Sequence, residues 1–104
     1  MKKNIYLGNA FSLQMVDSPS TIHIENVDIS VVSGATFKSC IGHADTATVL
    51  ENMLGRHVTV NRISITLKPG DILYVAQVIG GRLPEGATTL PEGIKIEFRK
   101  VTVE

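Results

Sequence analysis

The sequence predicts an α/β protein, a single compact domain over residues 1–104 in which a mixed, mostly parallel β-sheet of about five strands is flanked by helices. Three observations lead to this fold class. The length of 104 residues is typical of one domain. Several short segments alternate apolar and polar residues, as half-buried strands do, and one segment, "ADTATVLENMLG", has apolar residues at helical spacing. The run "ILYVAQVI" is nearly all apolar, which is typical of a central strand covered on both faces.

The first half of the chain predicts three strands. "IYLGNAFSLQMV" starts as a short strand over residues 5–7 and changes at Gly8 into an apolar stretch in which Ser12 is a plausible helix N-cap. Residues 18–20, "SPS", interrupt the pattern. "TIHIENVDI" then predicts a second strand, near an edge of the sheet, and "ATFKSCIGH" predicts a third.

The segment "ADTATVLENMLG" predicts a helix. The apolar residues at helical spacing are Ala47, Leu50, Met53 and Leu54. Asp45 or Thr46 lies near the predicted N-cap, and Gly55 is a typical stop residue. His43 therefore occupies the turn in which a strand becomes a helix.

The second half predicts three more extended segments. "VTVNRISITL" alternates as a half-buried strand should, and "KPGD" makes a turn before the central strand "ILYVAQVI", in which Gln77 is the polar exception. "GGRLPEGATTLPEG" is a loop. "IKIEFRKVTV" predicts the last strand, with a bulge at Lys100 because the apolar phase changes there.

Charge and composition exclude several classes of protein. Ten basic and ten acidic residues give no net charge, so no basic field exists to hold long nucleic acid non-specifically. The single cysteine, Cys40, excludes an internal disulfide framework, fits a reducing compartment and predicts an inert core thiol. "MKK" runs into "NIYLGNAF" without a signal peptide, and no apolar run approaches the ~20 residues of a membrane span. These features predict a cytoplasmic protein without a membrane partner.

Among the three histidines, His43 has the most suggestive position. A loop that enters a helix N-terminus presents free backbone N–H groups and the positive end of the helix dipole, which suit a phosphate. Imidazole titrates near neutral pH and can therefore donate a proton. A helix cap or an ordinary turn residue is the alternative for His43. His23 and His57 have no obvious partner in the sequence.

The loop after the central strand is the second suggestive segment, because ligands of open α/β sheets bind beyond the carboxyl ends of strands. Gly80 and Gly81 permit close backbone approach, and Arg82 offers a planar donor fork for phosphate. The loop contains Leu-Pro-Glu-Gly twice, with Glu85 and Glu92, and both copies are good turn material. Nothing in the pattern resembles a zinc site, a Mg²⁺ carboxylate cluster, a P-loop or a serine nucleophile elbow, so an enzyme of this sequence is predicted to work without metal or cofactor.

Four segments taken together, "YLGNAFSLQM", "IGHADTATVLENMLG", "NRISITLKPGDILYVAQ" and "GRLPEGATTLPEG", resemble the small family that contains viral type III anti-CRISPR ring nucleases and related proteins of bacteria and mobile elements. The resemblance spans almost the whole chain. It implies an α/β homodimer that binds cyclic tetra-adenylate, the second messenger made by type III CRISPR complexes, in a pocket across the dimer interface.

The resemblance also implies a metal-independent reaction. A ribose 2′-hydroxyl attacks the adjacent phosphorus, the 5′-oxygen leaves, and linear di-adenylates with 2′,3′-cyclic phosphate ends result. His43 matches the general acid of the family and Glu85 its catalytic glutamate, whereas Arg62 and Arg82 match phosphate-binding residues. The further residues that match the lining of the pocket are Asn9, Ser12, Gln77 and Thr46. By this reading Glu92 is only a turn residue.

Two other functions remain open from the sequence. One is a binder that sequesters the cyclic nucleotide without cutting it. The other is a structural or regulatory protein of a mobile element that contacts protein or DNA, although neutral charge and the lack of a recognition-helix pattern weigh against DNA.

Overall fold

The computed structural model describes residues 3–104 and contains one mixed sheet with two α-helices, which confirms the predicted fold class. The strands are β1 (Ile5–Gly8), β2 (Ile22–Val27), β3 (Lys38–Ser39), β4 (Ile72–Ile79) and β5 (Lys95–Val103), and the helices are α1 (Ile29–Ser33) and α2 (Ala44–Leu54). A short 3₁₀ turn, Leu13–Met15, follows Ser12, which is its N-cap residue without a side-chain cap hydrogen bond. Met1 and Lys2, which begin the basic segment at the amino terminus, lie outside the described residues.

The sheet order is β2-β5-β4-β1-β3, with the apolar strand β4 in the centre as predicted. β1 runs parallel to both β3 and β4, whereas β5 runs antiparallel to both β4 and β2. The antiparallel pairings are the longer ones, with eight residue pairs between β4 and β5. The sheet is therefore mixed but not mostly parallel. The reason is that residues 80–94 return the chain directly beside β4, without the crossover helix that a parallel neighbour requires.

Each face of the sheet carries its own apolar cluster. On the α2 face, Leu7, Tyr74 and Phe98 pack with helix residues such as Leu50. On the opposite face, Val101 and Val103 of β5 pack with the neighbouring strands and with Leu67. The predicted bulge at Lys100 is wrong, because Lys100 pairs with Tyr74 in an uninterrupted register. The apolar residues of β5 change from one face of the strand to the other at this point, because each half of the strand is covered on a different face.

Both ends of α2 follow the sequence prediction. The helix begins after His43, and Gly55 ends it in the left-handed conformation with φ 69°. The five-residue helix α1 was not predicted, since the alternating pattern before it continues to Ile29. Asp28 caps α1 by accepting hydrogen bonds from the backbone N–H and hydroxyl of Ser30, and these bonds lower the pKa of Asp28. No helix within residues 3–104 has the length and apolar character to cross a membrane.

The predicted strand over residues 58–67 is not a strand. The segment is extended beside the edge of the sheet, where Asn61 N–H donates to the Ile41 carbonyl at 2.8 Å and the Ser39 hydroxyl donates to the Thr59 carbonyl at 2.6 Å. Isolated bonds of this kind replace a ladder because β3 itself is only two residues long. Ile63, expected on the apolar, buried face of that strand, is 41% exposed.

Candidate active site

Several predicted site residues follow the carboxyl ends of the parallel strands. Because the three strands β1, β3 and β4 are parallel, their carboxyl ends lie at the same end of the sheet. The segments that follow these strands begin with Asn9, Cys40 and Gly80 respectively. The crevice beyond the carboxyl ends of parallel strands is where α/β proteins bind ligands. The candidate site therefore consists of the turn before α2, the loop after β4 and the segment that contains Arg62.

His43, Thr46 and Arg82 line one open cavity of about 380 Å³, together with Asp45 and the backbone near Gly81. His43 is exposed at the N-cap position of α2, where its carbonyl accepts the Ala47 N–H, while its side chain makes no cap hydrogen bond. His43 is thus the N-cap residue of α2 by its backbone, and within residues 3–104 its imidazole takes no part in the cap. His43 therefore lies at the positive end of a helix, on the same cavity as Arg82.

Arg62 lies beside this cavity. A Cβ atom added to Gly42 would lie only 3.1 Å from Cγ of Arg62, so the aliphatic part of the arginine covers the residue that precedes His43. Both Arg62 and Arg82 are exposed, and neither belongs to any ion pair within residues 3–104. Two guanidinium groups without a carboxylate partner in this part of the chain leave the area around His43 suited to a phosphate.

The loop of residues 80–94 closes on itself at its base. Gly80 has φ 100°, and a Cβ atom there would overlap with the carbonyl oxygen of Gly93. The two Leu-Pro-Glu-Gly copies form the same turn, with N–H to carbonyl bonds of 3.1 Å from Ala87 to Pro84 and from Ile94 to Pro91. In both turns proline is the first residue and glycine, with positive φ, the third, whereas proline at the second position and glycine at the fourth are the preferences of a type I turn.

The first of these turns rests on α2. Asp45 Oδ2 accepts the Gly86 N–H at 3.2 Å, and the side-chain amide of Asn52 donates to the Thr88 carbonyl. Glu85 precedes Gly86, so its turn is held against the first turn of the helix that begins after His43. Glu85 is exposed and does not itself line the 380 Å³ cavity. The second turn, with Glu92, lies at the base of the loop beside β5.

The remaining predicted residues occupy two other depressions. Asn9 and Gln77 line a groove of about 300 Å³ on the sheet face opposite α2. Ser12 lines a third, of about 260 Å³, together with residues 63–66. The chain therefore places His43, Thr46 and Arg82 on one cavity with Arg62 beside Gly42, and it does not bring Asn9, Ser12 or Gln77 into that cavity.

Two residues with a place in these cavities were not among the predicted site residues. The sequence indicates Asp45 only as a residue near the helix N-cap, whereas in the structure Asp45 lines the His43 cavity and its carboxylate accepts a hydrogen bond from the loop. Arg99 lines the groove beside Gln77 and donates to Asn26 Oδ1 at 3.1 Å. Its signal in the sequence was weak, since a charged residue in an alternating strand ordinarily faces solvent.

The chemistry available at the His43 cavity is anion binding combined with proton transfer. The imidazole can donate a proton, and the two arginines can stabilise negative charge on a phosphate. Within residues 3–104, no group of three or more histidine, cysteine, aspartate or glutamate side chains is arranged to hold a metal ion.

Comparisons with known proteins identify the family. Residues 5–101 match the family model described as STIV B116-like. Among solved structures, the fold is similar to B116 of Sulfolobus turreted icosahedral virus, with a TM-score of 0.80, 27% sequence identity, and coverage of 95% of this chain and 98% of the viral one. No curated protein matches the sequence significantly. Because the family model covers nearly the whole chain, the protein belongs to the STIV B116-like family.

Proposed function

We propose that this protein is a metal-independent ring nuclease, which as a homodimer binds cyclic tetra-adenylate and cleaves it to linear di-adenylates with 2′,3′-cyclic phosphate ends. This reaction would switch off type III CRISPR signalling. The observation that carries the proposal is the placement of the exposed residues His43 and Arg82 on one open cavity at the start of α2. Membership of the STIV B116-like family and the resemblance of four sequence segments to ring nucleases support it.

In the proposed reaction the oxygen of the 2′-hydroxyl attacks the neighbouring phosphorus and its proton passes to a solvent water, while the bond from phosphorus to the 5′-oxygen breaks. His43 donates a proton to the departing 5′-oxygen. Arg82 and Arg62 stabilise the charge that develops on the phosphate, and Glu85 orients the imidazole or positions the 2′-hydroxyl. The protein contributes alignment, charge and a proton, which are sufficient for this transfer.

The size of the cavity supports a dimeric site. A volume of about 380 Å³ is at the small end of the range for drug-sized ligands. A ring of four nucleotides is much larger than such a ligand, so one subunit offers space for only part of it. The ring has its own two-fold symmetry, and an isologous dimer would present one copy of His43 and Arg82 to each half.

The test is a chromatographic assay of the purified protein with cyclic tetra-adenylate in excess EDTA. We expect the wild type to release linear di-adenylates. His43→Ala should lower the single-turnover rate by about 10²–10⁴-fold while leaving the dissociation constant within about threefold. Glu85→Ala should also be slow. Glu92→Ala is its matched control, because Glu92 occupies the same position of the same turn at the base of the loop.

Three results would contradict the proposal. Full cleavage by His43→Ala would remove the general acid, and equal losses for Glu85→Ala and Glu92→Ala would remove the special role of Glu85. Tight binding with intact ligand after long incubation would replace the nuclease with a cyclic-nucleotide binder. Sedimentation with ligand should give one ring per two chains, and one ring per chain would contradict the shared site.

A further inference from the structure

We propose that Asp45 and Asn52 of α2 are positioning residues, which hold the loop of residues 80–94 on the helix and so keep Arg82 on the His43 cavity and the turn of Glu85 against the first turn of α2. This inference rests on the proposed function, since it assigns a role to residues that do not themselves react. It concerns two side chains that join the loop to the helix on which the His43 cavity is built.

The two contacts are spaced to suit a helix. Asp45 and Asn52 are seven residues apart, which is about two helical turns and places both on one face. Asp45 Oδ2 accepts the Gly86 N–H at 3.2 Å, and the Asn52 amide donates to the Thr88 carbonyl. One face of α2 therefore holds the loop at two points, close to each other in the loop sequence.

The geometry of the loop transmits these contacts to Glu85. Gly86 is the third residue of the turn that the Ala87 N–H closes onto the Pro84 carbonyl, and Glu85 is the second. The loop is also pinched at its base between Gly80 and Gly93. A turn held by its own hydrogen bond moves as a unit, so a shift of Gly86 away from Asp45 shifts Glu85 with it.

The charge of Asp45 supplies an independent reason to look for such a role. Asp45 lines the same cavity as His43 and Arg82. A carboxylate in a cavity that receives a phosphate repels the ligand, and so it would weaken binding if it made no other contribution. The hydrogen bond from the Gly86 N–H gives this carboxylate a structural role, because through it Asp45 holds the loop.

Hydrogen–deuterium exchange of the ligand-free protein tests the contacts without any assay of activity. We expect faster exchange over residues 80–93 in Asp45→Ala and in Asn52→Ala. Asp45→Asn should exchange like the wild type, because its amide oxygen can still accept the Gly86 N–H. Thr89→Ala is a control within the loop, since the Thr89 side chain makes no hydrogen bond within residues 3–104. Unchanged exchange in Asp45→Ala would overturn the inference.

Single-turnover cleavage of cyclic tetra-adenylate tests the positioning role. Asp45→Ala should lose about tenfold or more in rate, with a smaller change in affinity, because misalignment of catalytic groups acts mainly on the chemical step. Asp45→Asn should restore most of the rate. A full rate in Asp45→Ala, or a rate in Asp45→Asn as low as in Asp45→Ala, would overturn the role. An inactive wild type would overturn the proposed function, whereas an active wild type with an unimpaired Asp45→Ala would overturn the positioning role alone.

Discussion

Replacing Gly80 with alanine would test whether the pinched base of the loop stabilises the fold and the site together. Gly80 has φ 100°, a conformation that residues with a Cβ atom rarely adopt. The Cβ atom of alanine would also overlap with the carbonyl oxygen of Gly93, on the opposite side of the loop base. Gly70 is a matched control, because its φ of 91° is similar and, within residues 3–104, no atom beyond its chain neighbours lies within 4 Å of a Cβ placed there.

The structure allows the two contributions to be separated. The left-handed conformation should lower the free energy of unfolding by about 1–2 kcal/mol in both variants. Gly80→Ala carries an additional penalty, because backbone atoms at Gly93 must shift to remove the overlap. Steric insertions of this kind destabilise proteins by about 1–3 kcal/mol. We therefore expect a total loss of about 2–5 kcal/mol for Gly80→Ala and about 1–2 kcal/mol for Gly70→Ala.

Urea denaturation followed by circular dichroism at one fixed protein concentration would measure both values, since association makes apparent stability depend on concentration. In the proposed nuclease, Gly80→Ala should also slow cleavage, because the displaced backbone leads directly to Arg82. Equal losses of stability in the two variants would refute the steric argument. The loop base would then be held by something other than the close approach of Gly80 to Gly93.

Three further predictions concern other parts of the molecule. Gly42→Ala should change the free energy of unfolding by less than about 1 kcal/mol, since only the flexible Arg62 side chain must move, and in the proposed nuclease it should weaken the binding of cyclic tetra-adenylate. Leu50→Ala, in the core between α2 and the sheet, should lose about 2–5 kcal/mol in urea denaturation. Cys40 should react with a thiol reagent at neutral pH at least about tenfold faster in urea than in the native protein, because burial raises the pKa of its thiol.

Each of these has a clear contrary result. Unchanged affinity in Gly42→Ala would separate Arg62 from ligand binding. A loss below about 1 kcal/mol in Leu50→Ala would mean that the helix contributes little to the core. Equal labelling rates for Cys40 in native and unfolded protein would show that its half-buried position, with Sγ 3.3 Å from the Leu7 carbonyl, does not protect it.

Sequence patterns correctly predicted two kinds of element: a helix that carries its own stop signal, and a strand that is mostly buried. The helical spacing in residues 44–54 and the stop at Gly55 predicted α2, and the apolar run predicted β4 in the centre of the sheet. The pattern failed where an alternating segment lacked a partner strand, as at residues 58–67. It also failed where one strand changes its covered face, as β5 does around Lys100. Alternation reports which side chains are apolar, and it does not report what backbone lies beside them.

The sequence by itself determined the α/β class, the position of His43 at a helix start, and the residues that suit an anion near it. Only the tertiary structure decided which of the predicted residues line the same cavity. Arg82 and Thr46 share a cavity with His43, whereas Asn9 and Gln77 lie on the other face of the sheet. The physical reason is that spatial proximity here depends on strand order and on loop contacts between residues about 40 positions apart, such as Asp45 with Gly86, and no local pattern encodes those contacts.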